Sequence, residues 1–433
     1  MEFLWQKECE PPAFPQLKGD INTDVLIIGG GMAGVLCAKS LHDAGINYVL
    51  AEAKTIGNGI TKGTTAVLTA QHDILYQNII KTYGADKARQ YLNANLHSVK
   101  QFKTLSKNID CDFEIKPSIM YSIDNKILMQ NEAKAVNQLG FTAEFTTDTP
   151  MSFSVAGAVK YPDMAQFHPL KFLNSIAQGL NILENTFVKK LKGTVAFCDN
   201  GNIYAEKVIV ATHFPFINSH GMYFMKLYQQ RSYVIAYENA PDLGCTIEDV
   251  AENGFYFRNY NDLLLIGGGD HRTGQKGECY SAIESFAQKN FPKAKEKYRW
   301  SNQDCVTLDG LPYIGQYSPA VSNIYVATGF NLWGMTNSMT ASRIICDMVQ
   351  GKASDNAEVF LPNRSILQSQ LLKNAGTTLL DFVMPTAKRC SHLGCALKWN
   401  PAEHSWDCPC HGSRFDEQGR IINNPAMKDS HVR

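Results

Sequence analysis

The sequence has no excess of charge of either sign: 41 Lys and Arg residues balance 41 Asp and Glu residues. That balance excludes a bulk nucleic-acid binder, which needs a basic footprint, and equally an acidic tail or a polybasic membrane arm. Long hydrophobic runs are missing too. The longest mainly apolar stretch, Val25 to Ala38, is interrupted by glycines and too short to cross a bilayer, so no transmembrane segment is expected. The opening MEFLWQKECE lacks the charged-then-apolar pattern of a signal peptide. There is no internal repeat and no low-complexity tract. With 44 % hydrophobic and 19 % charged residues, composition excludes disorder, collagen and a disulfide-rich miniprotein. These absences predict a soluble, cytoplasmic protein. At roughly 100–200 residues per domain, its length allows two to four domains and a large core.

Cysteine, by contrast, is plentiful. There are 12, which a reducing compartment keeps as free thiols or metal ligands. Most are scattered singly, but Cys390, Cys395, Cys408 and Cys410 crowd together near the C-terminus. Core packing does not cluster cysteines in that way, so this segment needs its own explanation.

Near the N-terminus, Val25 to Ile28 reads as a buried strand, Gly29 to Gly34 as a turn, and Met32 to Ala44 as a helix. Tyr48 to Ala51 is a second buried strand that ends at Glu52. The spacing Gly29-x-Gly31-x-x-Gly34 inside this βαβ unit is the dinucleotide pattern. The first glycine permits the tight turn, the second lets a pyrophosphate approach the backbone, and the third lets helix pack on strand. The helix N-terminus then faces the phosphates, and the acid holds the ribose hydroxyls. A nicotinamide-dependent flavin reductase usually carries a second such unit. The candidate here, Gly267-Gly268-Gly269-Asp270-His271-Arg272, lacks the third glycine and a following helix, which favours FAD over NAD.

Further along, Tyr76 to Asn108 reads as mainly helical. Phe113–Ser122 and Phe141–Phe145 alternate like strands, as do residues 231–237 and 255–266. Lys207 to Ala211 is a short buried strand before a polar turn at Thr212-His213, and residues 323–351 give a strand, a glycine turn and a helix.

Residues 22–352 resemble the D-amino acid oxidase/glycine oxidase superfamily of FAD-dependent oxidoreductases. The motifs that carry the likeness are VLIIGGGMAGVLCAKSL (25–41), GNGITKGTTA (57–66), VIVAT (208–212), and DGLPYIG (309–315) followed by NIYVATGFNLWGMT. The resemblance implies an α/β fold in which a Rossmann-like FAD-binding domain carries an inserted antiparallel-sheet substrate domain, roughly 110–150 and 226–300. It places FAD against Gly29, Gly31, Met32, Ala33, Gly34, Glu52, Ala53, Lys54, Thr61, Thr64 and Thr65, with Val188 beside the adenine. Gly329, Gly334, Met335 and Thr336 fall where the last helix points its N-terminus at the flavin, favouring its reduced anion. Members oxidise amines or amino acids by hydride transfer, often with an arginine clamping the substrate carboxylate. Arg231, Arg258 and Arg272 lie in the presumed substrate domain, where each could equally be a salt-bridged surface residue. Arg258, inside FYFRN, is the first choice for a catalytic role, with His271 as its companion.

The C-terminal segment reads Cys390-Ser-His392-Leu-Gly-Cys395 and then Cys408-Pro-Cys410-His411-Gly-Ser413. Paired Cys and His on two glycine-containing loops suit a [2Fe–2S] cluster, with two thiolates on one iron and two imidazoles on the other. A zinc ribbon has similarly tight spacing, but six candidate ligands exceed the four that zinc needs. The pair of loops closely resembles the Rieske domain of the cytochrome bc type. That likeness assigns Cys390, His392, Cys408 and His411 as cluster ligands and Cys395–Cys410 as a disulfide. Residues 364–387 read as a helical connector, leaving 388–433 as a minimal all-β cluster subdomain that leans on the flavin half. High-potential relatives carry a tyrosine two positions after the loop serine, where this chain has Phe415.

A flavin takes two electrons as a hydride and a Rieske cluster carries one. The combination predicts an amine or amino acid dehydrogenase that passes electrons through the cluster to an external acceptor of unknown identity. An oxygen-using oxidase with a structural cluster, or a redox carrier or sensor without turnover, remain alternatives. A Rieske oxygenase is disfavoured, since no His-x4-His with a nearby acid offers a mononuclear iron site.

Overall fold

Val25, Leu26, Ile27 and Ile28 are all buried, because their strand lies inside a parallel sheet covered on both faces. The computed structural model describes residues 2–365 and 369–432. Strand Ile21–Ile28 pairs in parallel with Tyr48–Ala51 on one side and Gly201–Val210 on the other, with Val25 opposite both Tyr48 and Lys207. Val321–Thr328 extends the sheet, Tyr313–Ser318 and Ile182–Leu183 form its edges, and a hairpin hung on Gly201–Val210 brings it to eight strands. Helix Met32–Asp43 packs along helix Gly334–Val349. The expected polar helical stretch is two helices, Tyr76–Tyr83 and Ala85–Leu105, broken at Gly84 with φ 86°.

A second sheet of nine strands stands beside the first. It overruns the bounds expected from sequence. Gly157–Gln166 pairs with Glu114–Ser122, and Lys295–Thr307 pairs with Leu227–Glu238 along its whole length. Cross-strand hydrogen bonding holds these strands beyond the segments whose alternation is visible. Residues 255–266 are a hairpin, Tyr256–Tyr260 and Leu263–Arg272, turning at Asn261 with φ 50°. The expected strand at Phe141–Phe145 is shifted to Glu144–Thr146. The triple glycine lies inside a strand, where a Cβ on Gly267 would sit 1.9 Å from the Tyr256 ring. These glycines serve packing.

After helix Ser369–Val383, four short strands (Lys398–Asn400, Ser405–Asp407, Arg414–Phe415 and Ile421–Asn423) form an antiparallel third sheet. So small a sheet buries little of its own, and it is fastened to the second sheet instead. The seam is tight: a Cβ on Gly412 would meet Gln229 Cβ at 2.5 Å, and one on Gly274 would meet the Pro409 nitrogen at 2.6 Å. Its centre is ionic. Glu403 pairs with Arg231 from the second sheet, with Nε to Oε2 at 3.0 Å, and with Arg414 at 3.1 Å. Arg414 also donates to Asp407 at 3.0 Å, and Ser301 and Tyr233 donate to the Glu403 carboxylate.

Burial alone would raise the Glu403 carboxyl, but the two guanidiniums outweigh it and hold it down at about 2. A carboxyl lowered on folding lends stability that is fully present above its unfolded range and is lost as pH falls toward the folded value. The stability read from denaturant unfolding is therefore expected to fall from pH 5 to pH 3. Glu403→Gln should flatten part of that slope while costing about 3–5 kcal/mol at neutral pH, because buried Arg231 loses its counter-charge and Arg414 is left with Asp407 alone.

Candidate functional site

The turn after the first strand is built for close approach. A Cβ on Gly34 would fall 1.8 Å from the Gly29 carbonyl oxygen, and one on Gly29, at φ 110°, would fall 2.5 Å from that of Ala211. Helix Met32–Asp43 starts at Gly31 with no side-chain cap, leaving first-turn amides near Ala33 for an anion. The Met32 amide donates to Thr61 Oγ1 at 3.0 Å. Glu52 closes the turn, accepting from the Gly30 amide at 2.6 Å and the Lys54 amide at 2.8 Å. Burial pushes its carboxyl up, and those two amides work against the shift. Ala53 and Lys54 are exposed beside it, and Val188 is buried in the same apolar cluster as Ala51. This cradle fits the pyrophosphate and ribose of a dinucleotide.

From there a cavity of about 560 Å³ opens between the two sheets. Thr64, Thr65, Gly334 and Met335 line it. Helix Gly334–Val349 presents its uncapped N-terminus there, and Gly329 turns the chain toward it with φ 69°. Thr336 bonds His72, whose ring stacks on Trp333 at 4.7 Å and stays neutral because burial pushes it down to about 3. The opposite wall is one face of the nine-stranded sheet, including Gln230, Thr246, Glu248, Asp270 and Asp304.

The three arginines are all engaged. Arg258, 1 % exposed, lines the cavity but donates Nη1 to the carbonyls of Thr65, Ala66 and Phe167, leaving Nη2 unpartnered. Arg231 is in the Glu403 cluster, and Arg272 donates to the carbonyls of Pro409 at 3.0 Å and Cys410 at 3.2 Å. His271 lies outside the cavity lining. Its Nε2 is 2.9 Å from Tyr233 Oη and its Nδ1 meets the Arg272 carbonyl. The structure thus brings Arg258 to the cavity and does not bring His271 there.

The two cysteine–histidine loops close on each other. Cys390 and Cys408 are buried with their sulfurs hydrogen-bonded, and that bond draws the Cys390 thiol down while pushing the Cys408 thiol up. The His392 and His411 rings lie 5.0 Å apart at 88°, and both Nδ1 atoms are buried without a partner. Burial holds both imidazoles neutral, down to about 4 for His392 and about 3 for His411. Neutral nitrogens without partners beside a readily ionised thiol are a donor set for metal. The sulfurs of Cys395, Cys408 and Cys410 also lie within 4.8 Å of one another. Cys395 and Cys410 are joined in a disulfide, however, so Cys408 is the free one. The set fits a [2Fe–2S] cluster with two sulfur and two nitrogen ligands.

Two strands connect the sites. Tyr228, Gln230 and Ser232 face the cavity, while Gln229 between them donates to the His411 carbonyl at 2.7 Å. Across the pairing, Asn302 and Asp304 face the cavity, while Gln303 donates to the Gly412 carbonyl at 2.9 Å and to Gln229 at 2.5 Å. Sequence reading missed these glutamines and the acidic wall. The signal was present in the polar run Ser301-Asn302-Gln303-Asp304, whose every second residue belongs to a different site.

Residues 24–348 match the family described as FAD dependent oxidoreductase, and residues 381–432 match the Rieske [2Fe-2S] domain. A Bacillus subtilis (strain 168) protein that carries the name Rieske 2Fe-2S iron-sulfur protein YhfW is 32% identical, covering 99% of this chain and 96% of its own length. Gamma-glutamylputrescine oxidoreductase of Escherichia coli (strain K12) is 24% identical over 78% of this chain and 86% of its own. Glycine oxidase from Geobacillus kaustophilus shares the fold, with a TM-score of 0.67 at 20% identity over 80% of this chain and 99% of that one. Among the described residues no helix is long and apolar enough to cross a membrane.

Two outcomes are expected. Glu52→Ala should retain less FAD after dialysis while leaving the cluster spectrum intact. Phe415 is fully buried in the apolar cluster that holds Cys390 and Cys408, and Ser413 already bonds the Cys390 sulfur. Phe415→Tyr should add a donor near the cluster and raise its midpoint potential in a redox titration, with flavin content unchanged.

Proposed function

Since the chain belongs to the FAD-dependent oxidoreductase family and ends in a Rieske [2Fe-2S] domain, we propose that it is an amine or amino acid dehydrogenase delivering electrons to an external acceptor. The observation that carries this reading is the back-to-back arrangement on strands Leu227–Glu238 and Lys295–Thr307, with the flavin cavity on one face and the cluster loops on the other. When bound, FAD would supply a two-electron acceptor for a hydride from the carbon beside the substrate nitrogen, with a proton released, and the cluster would supply a one-electron path onward.

The chain's own residues prepare both ends. Gly29, Gly31 and Gly34 leave room for the pyrophosphate, Glu52 takes the ribose, and the N-terminus at Gly334–Thr336 favours negative charge on the flavin ring. Cys390, Cys408, His392 and His411 would hold the cluster, and burial keeps both histidines in the neutral form that binds iron. Gln229 fixes the His411 loop to the sheet through its carbonyl, while Gln303 fixes the next residue. Arg258 sets the loop at Thr65 and Ala66 that borders the flavin pocket.

The test is anaerobic mixing with a panel of amines and amino acids, following flavin absorbance and the cluster's paramagnetic signal together. A substrate should bleach the flavin and then make the cluster paramagnetic within a turnover. Peroxide formed in air at the full turnover rate, with the cluster signal unchanged, would point instead to an oxidase. A flavin that no amine or amino acid reduces would rule out both.

A further inference from the structure

The acidic wall of the cavity has no part in the scheme above. Glu248, Asp270 and Asp304 come from three strands, Thr246–Asp249, Leu263–Arg272 and Lys295–Thr307, and share one face of the sheet. Gln230 stands opposite Asp304 in the pairing, and its side-chain amide reaches Asp270 Oδ2 at 3.4 Å. Asp73 and Asp249 extend the negative lining. Among the described lining residues the one permanent cation is Arg258, whose Nη1 is on three carbonyls and whose Nη2 is unpartnered. Arg231, behind the sheet, is paired with Glu403.

Buried like charges are costly without a counter-ion. Burial, with mutual repulsion, accordingly pushes Asp270 and Asp304 up to about 7 and Glu248 well above the carboxylate range. The protein itself offers little relief. Asp304 is 8 % exposed and makes no hydrogen bond or ion pair among the described residues. Asp270 Oδ1 has no partner, and neither has the hydroxyl of Thr246, a residue 4 % exposed that lines the same wall. Three strands thus present to one space open acceptors and carboxyls that hold their protons for want of a counter-charge. An alkylammonium group supplies the missing charge and three donors. A carboxylate placed there would face acids on three strands, and the one guanidinium lining the cavity, that of Arg258, has only its Nη2 left to offer.

We propose that this cavity takes an aliphatic diamine, with one nitrogen toward the flavin and the far ammonium on Glu248, Asp270 and Asp304 beside Thr246. The oxidation of the near end rests on the dehydrogenase reading. The selection of a second cation over a carboxylate rests on the wall alone.

Calorimetry on the flavin-loaded protein tests it, with 1,4-diaminobutane as the probe and 4-aminobutanoate as the partner of equal reach that ends in a carboxylate. The diamine is expected to bind roughly tenfold tighter or better. Asp304→Asn and Glu248→Gln, each with FAD content verified, should weaken the diamine by roughly tenfold and shrink its advantage over 4-aminobutanoate. Equal binding of the two probes to the wild type would overturn the proposal. So would unchanged diamine affinity in both flavin-replete variants. Calorimetry does not need turnover, so selective diamine binding without anaerobic bleaching upholds the site and sinks the dehydrogenase reading. Bleaching by amino acids with no preference for the diamine does the opposite.

Discussion

A β-strand turns successive side chains to opposite sides, and two strands of this chain use that alternation to keep two chemistries apart. Tyr228, Gln230 and Ser232 look into the cavity, while Gln229 looks toward the His411 loop and Arg231 toward Glu403 of the same C-terminal sheet region. The same division runs along the paired strand, with Asn302 and Asp304 on one side and Ser301 and Gln303 on the other. A slip of one residue would exchange the faces, putting an arginine in the cavity and a carboxylate against the loops. Both sites therefore depend on one register.

That register is fastened from outside by the Glu403 cluster. A third sheet of four very short strands has too little apolar area to organise itself, so its position comes from directional bonds. Arg231 and Arg414 converge on one buried carboxylate, and Arg272 reaches across to two carbonyls of the cysteine loop. Such an arrangement costs desolvation, but it tolerates few alternative dockings.

How much of this was readable depended on range. The dinucleotide turn was legible because its parts are local, and the structure sets Gly34 against Gly29 and Glu52 against Gly30 within one turn. The two C-terminal loops were legible for the same reason, and the disulfide joins the expected pair. The substrate cavity was not, because its acids are spread over three strands that only the sheet order brings together. Arg258 looked like a clamp, as any arginine in a strand of a substrate domain does. Which carbonyls it meets is settled by loops far away in sequence, at Thr65 and Phe167. His271 sits in a polar run, yet the bulge between Arg231 and Tyr233 sets its ring against Tyr233, outside the cavity. Polar residues in a strand reveal their period but not which neighbour each face will meet.

The seam between the second and third sheets has a consequence for ancestry. At Gly412 and Gly274 there is no room for a single added carbon against Gln229 and Pro409. A substitution on one side is therefore tolerable only with a matching change on the other. The two halves are bound to drift together, as a mortise does with its tenon. A cluster-bearing tail borrowed from another flavoprotein would not seat here as an exchangeable cassette.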